Sequence, residues 1–114
     1  MDKLSDFIKE IELASQRFFP DTEIQIKIVR ASRLNIRILL PMRDLYLDIF
    51  YNVDTERKDF ALIWKNRRIF GFDNLGGWHF HPYESPEQHV PSPEPSVETV
   101  FLKVSQILKK TMRR

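Results

Sequence analysis

Between Glu23 and Phe72 the chain runs five times through a stretch of strand length, and the first two alternate apolar and polar side chains with a period of two. In "EIQIKIV", residues 23 to 29, Ile24, Ile26 and Ile28 go to one face and Gln25 and Lys27 to the other. "LNIRILL" repeats this with Leu34, Ile36, Ile38 and Leu40, and "LYLDIFY", "FALIWK" and "IFGF" follow. A period of two puts one face against a core and leaves the other wet. The connections are short: Arg30 to Arg33, "PMRD", "NVDTERK" and Asn66 to Arg68. Short connections join antiparallel neighbours, so the pattern predicts a five-stranded antiparallel meander.

Two stretches with a different period flank the strands. "LSDFIKEIELASQRFF" spaces Leu4, Phe7, Ile8, Ile11, Ala14 and Phe18 by three and four, with Asp2 or Ser5 as N-cap and Pro20 closing the run. "SVETVFLKVSQILKKTMRR" places Val97, Val100, Phe101, Val104, Ile107 and Leu108 on one stripe and ends in Lys109, Lys110, Arg113 and Arg114, cations that suit a helix C-terminus. Its N-cap is Ser92, with Pro93 in the first turn, or Ser96. Helix, five strands and helix predict a two-layer α+β fold. Residues 1–114 form a single domain, with the N- and C-terminal helices packed on one face of the sheet.

A chain of 114 residues that is 42% hydrophobic can fill one modest core. No apolar run approaches the roughly 20 residues of a spanning helix, and "MDKLSDFIKE" is acidic and amphipathic, unlike a cleavable signal. The expected location is the cytoplasm. With no cysteine there is neither disulfide nor thiolate ligand, so a metal would need histidine and carboxylate. A net charge of +2 does not by itself argue for nucleic acid. The 30% of charged residues and three glycines lean toward a thermophile.

The last third of the chain carries the chemistry. "WHFHPYESPEQHVPSPEP", Trp78 to Pro95, holds all three histidines, His79, His81 and His89, and five of the seven prolines. The connection from Asp73 to Pro95 exceeds the roughly 12 to 15 residues of ordinary structureless loops, and loops that long are usually functional or disordered. Its aromatic residues and prolines argue for order. An extended Trp78–His81 would project His79 and His81 to one side while Trp78 and Phe80 anchor the other. Three readings follow for the imidazoles. They can serve as an acid/base pair, since imidazole exchanges a proton near neutral pH; as ligands of a transition metal with Asp73, Glu84 or Glu87; or as caps of loop backbone groups.

Ile69 to Leu102 contains no lysine or arginine. Cations for a phosphate must come from elsewhere: from "KNRR", Lys65 to Arg68, from Arg57 and Lys58, or from Arg33, Arg37 and Arg43 on the wet face.

The segment Leu47 to Pro91, "LDIFYNVDTERKDFALIWKNRRIFGFDNLGGWHFHPYESPEQHVP", resembles the core of the TumE-like family of small proteins from prokaryotic toxin–antitoxin loci. The features carrying the resemblance are Asp48, Trp64 before Arg67 and Arg68, Phe72-Asp73-Asn74, and the proline-rich stretch with His79, His81 and His89 ahead of a final helix. Where relatives follow Asp-Asn with Ala-Pro-His-His, this chain has "LGGWHFHP" and a separated His89. The resemblance implies a small helix-turn-helix antitoxin as partner. Together these lines lead to a first expectation: a toxin-like protein that cleaves RNA without metal or other cofactor. His79 and His81 share the acid and base roles, with His89 and Asp73 beside them. Arg67, Arg68 and Asn74 hold substrate, and Trp78 stacks a base. The alternatives are a non-enzymatic interaction module with structural histidines and a metal-binding, hydrolase-like domain.

Overall fold

Asp2 starts the first helix, α1 (Lys3–Phe18): its carboxylate accepts the Leu4 amide at 3.0 Å, and Ser5 donates its hydroxyl to the same carboxylate. This computed structural model describes residues 2–112, so Arg113 and Arg114 lie outside the described residues. Five strands follow, β1 (Glu23–Val29), β2 (Arg33–Leu39), β3 (Leu45–Asn52), β4 (Arg57–Trp64) and β5 (Arg67–Asp73). Two short ones come next, β6 (His79–His81) and β7 (Val90–Pro91), before the closing helix α2 (Val97–Met112). Ser96 caps α2, accepting the Thr99 amide at 3.0 Å.

Among the described residues the sheet therefore has seven strands in the order β1-β2-β3-β4-β5-β6-β7, all antiparallel, and the expectation of five is corrected. The meander holds; its count does not. What reads as one long loop folds back twice: Phe80, which packs against the core, pairs with Phe72 on one side and with Val90 on the other at the far margin of the sheet. Turns at Pro82–Ser85 and Ser85–Gln88 bring the chain around between them.

One continuous core takes Leu4, Phe7 and Ile11 from α1 and Val100, Phe101 and Val104 from α2. The same core contains Leu34, Ile36, Ile38, Leu47, Ile49, Phe60, Leu62, Phe70 and Phe72 from the sheet. The register aligns Ile36, Ile49, Phe60 and Phe72 across four strands, which puts the core on one face of the sheet. The edge strand is the exception. Ile26 and Ile28 pair with Ile36 and Leu34 on the core side but stay 42% and 52% exposed, because they lie at the margin of the sheet, where the core thins out.

The opposite face carries the polar residues in two rows. One runs Lys27, Asn35, Phe50, Asp59, Asp73, His79, and the other Gln25, Arg37, Asp48, Ala61, Gly71, His81. A bulge decides which arginine joins them. Leu62 pairs with Phe70 but Ile63 with Arg68, so β5 carries one extra residue, and the shift of parity turns Arg68 onto the open face. The two-residue turn before it, Lys65 and Asn66, has positive φ at both positions, as a tight hairpin of this twist requires.

Candidate functional site

Two carboxylates face each other across β4 and β5, Asp59 and Asp73, an arrangement that like charge disfavours. Arg68 relieves it. Its Nη2 donates to both oxygens of Asp59 at 3.2 Å, while Nη1 lies 3.7 Å from Asp73 Oδ2 and 3.0 Å from His81 Nε2. Burial raises the Asp59 carboxyl above its ordinary range even with Arg68 beside it, and the charge of Asp73 adds to the rise. Asp73 goes the other way. Burial pushes it up, but the contact with His81 Nε2 at 3.0 Å, the Leu75 amide at 3.1 Å and the two imidazoles beside it together hold it below the ordinary range.

The three histidines meet above this pair, with ring centroids 5.1, 4.9 and 4.6 Å apart. His79 and His81 stand on the same side of β6, as the alternation predicts, and Gly71, the cross-strand partner of His81, has no side chain of its own there. Two of the rings are oriented from behind. His79 Nδ1 lies 3.1 Å from the Gly77 carbonyl and His81 Nδ1 lies 3.0 Å from the Pro86 carbonyl. Carbonyls only accept, so both Nδ1 atoms carry hydrogen. Both Nε2 atoms face Asp73, His79 at 3.3 Å from Oδ1 and His81 at 3.0 Å from Oδ2. His81 is buried, His79 half-buried and His89 exposed.

Of the other residues singled out in the sequence, Arg68 belongs to the cluster, whereas Arg67 is exposed at the start of β5. Asn74 is engaged with backbone: its Oδ1 accepts the Lys58 amide at 2.9 Å and its Nδ2 donates to the Glu56 carbonyl at 2.8 Å. Trp78 packs against the core with Phe80. Sequence reasoning passed over Asp59, although its position one residue before the core residue Phe60 in an alternating strand marks it as outward-facing. It also missed the carbonyls of Gly77 and Pro86, for which no residue type is a signal.

From Arg68 the open face of the sheet continues as a groove of about 570 Å³, lined among others by Lys27, Asn35, Arg37, Asp48 and Phe50. Arg37 is held in it by a two-point ion pair with Asp48, at 2.8 and 3.1 Å, and lies over the Tyr46 ring. Among the described residues no helix is long and apolar enough to cross a membrane.

Fold and site define a two-layer α+β protein with a histidine–aspartate–arginine cluster on the open face of its sheet. No protein-family model, curated protein or solved structure matches the chain.

Proposed function

We propose that the chain is the toxin-like member of a toxin–antitoxin pair and cleaves RNA at the histidine cluster. The observation that supports this best is the meeting of three imidazoles, two of them against Asp73, with a guanidinium at hydrogen-bond distance. Burial redistributes the roles expected from sequence: His81 is 4% exposed and serves to position the others, while His79 and His89 are the rings a substrate reaches. One of them takes the proton of a ribose 2′-hydroxyl as its oxygen attacks the adjacent phosphorus. The other gives a proton to the departing 5′-oxygen. The products are a 2′,3′-cyclic phosphate and a free 5′-hydroxyl, so DNA is not a substrate. Arg68 is the cation nearest the reacting phosphate. In this reading the partner is the small helix-turn-helix antitoxin that the resemblance implies, and the protein works in the cytoplasm.

Growth arrest on induced expression, and cleavage of a bulk RNA pool in EDTA, test the reading with wild type, His79→Ala, His89→Ala and Arg68→Ala. Loss of either reactive imidazole should slow cleavage by about 100- to 10,000-fold. If every folded histidine variant remains as toxic as wild type, the interaction-module reading replaces this one.

A further inference from the structure

The imidazoles and Asp73 present more acceptors than neutral histidines can serve. With both Nδ1 hydrogens given to the Gly77 and Pro86 carbonyls, the Nε2 atoms of neutral His79 and His81 carry lone pairs, and only that of His81 is met by a donor, Arg68 Nη1 at 3.0 Å. These lone pairs point at the two oxygens of an anion 3.3 and 3.0 Å away. Lone pairs aimed at a carboxylate repel it unless positive charge sits between them. Two extra protons supply that charge, and so does one divalent ion.

Three features favour the ion. A tetrahedral centre with bonds of about 2.0–2.1 Å holds its ligands about 3.3 Å apart, close to the observed nitrogen–oxygen separations. An Nδ1 hydrogen given to a backbone carbonyl is how metal-binding histidines are commonly oriented, and both rings have it. His89 is the third: one nitrogen from each of the three rings lies within 4.8 Å of the others. We infer that His79, His81 and His89 bind one divalent transition-metal ion of the zinc, cobalt and nickel class, with the Asp73 carboxylate against it. Imidazole suits these ions, and the absence of cysteine removes softer competitors. Arg68 is the resident alternative, since its Nη1 points at the same His81 lone pair; it can yield that contact and keep Asp59.

Binding stands on this geometry alone, whereas its effect on cleavage rests on the function proposed above. An imidazole that holds a metal through its lone pair cannot take a proton there, so the loaded protein is the silent form.

Calorimetric titration of the untagged full chain with zinc chloride, and the visible spectrum with cobalt chloride, test the site. One ion per chain at micromolar or lower dissociation constant is expected, with a tetrahedral cobalt spectrum. His89→Ala, at an exposed position that leaves the fold intact, should weaken binding at least about tenfold. No stoichiometric binding, or unchanged affinity in His89→Ala, overturns the inference. RNA cleavage in EDTA and in added zinc separates the two proposals. Cleavage in EDTA that zinc suppresses supports both. Cleavage in EDTA by a protein that takes up no metal removes the metal site and leaves the function. Metal binding without cleavage in either buffer, or cleavage only with metal, leaves the site and removes the metal-free mechanism.

Discussion

Gly71 is where the fold and the histidine cluster meet, and Gly71→Ala tests how tightly they are joined. A Cβ there would stand 2.5 Å from the Phe60 carbonyl oxygen and 3.4 Å from the Ala61 Cα, both main-chain atoms of β4. Close carbon–oxygen contacts between strands settle at roughly 3.3–3.6 Å, so the two strands would have to part by about 1 Å. β4 is held by β3 on its other side and cannot simply swing away. Forced overpacking of this kind costs about 1–3 kcal/mol, and each kcal/mol lowers the melting temperature of a domain this size by about 4 °C. The strain also reaches His81, the cross-strand partner of Gly71. Gly76→Ala is the control: its φ of +72° disfavours a side chain, but nothing lies within 4 Å, so it should lose only about 1 kcal/mol. Urea unfolding of wild type and both variants gives the ranking. A Gly71→Ala loss under about 0.5 kcal/mol, or no larger than that of Gly76→Ala, would refute the crowding argument.

Phe101→Ala should cost about 3–5 kcal/mol by chemical denaturation, since the ring is fully buried against Phe19 between helix and sheet. Asp59 has a carboxyl raised by burial, so its ionisation destabilises the folded state, and that penalty is lifted as pH falls through its folded value toward 3.8. Wild type should therefore gain stability relative to Asp59→Asn as pH is lowered through that window; a difference that stays flat, or moves the other way, contradicts the assignment. The Arg37–Asp48 pair is half-exposed, so a double-mutant cycle should return a coupling of at most about 1 kcal/mol that shrinks with added salt.

The alternation of "EIQIKIV" and "LNIRILL" made the sheet and its order legible, because a period of two has few other solutions. It did not reveal where the core stops. Ile26 and Ile36 look alike in sequence, yet Ile26 is 42% exposed because it stands on the outermost strand. The two extra strands were hidden for another reason: β6 and β7 are too short, at three and two residues, to show a period. In the site, the i, i+2 spacing correctly put His79 and His81 side by side. Which of Arg67 and Arg68 joins them depends on one bulged residue, and composition is blind to that. The return of His89 depends likewise on two consecutive turns that swing it back over the cluster.

The histidines also ride on the sheet's most weakly anchored part. β6 is held to β5 over three residues and β7 to β6 over two, at the end of the sheet opposite β1. Such a margin opens on its own, without global unfolding. Amide hydrogens at Phe80 and Val90 should therefore exchange with solvent well before those of Ile49 or Leu62. Each opening takes the Pro86 carbonyl away from His81 and dismantles the cluster while the core stays intact. Anything that bridges the three rings, substrate or ion, slows that exchange, and the protection of two amides becomes a direct gauge of how much of the time the site is assembled.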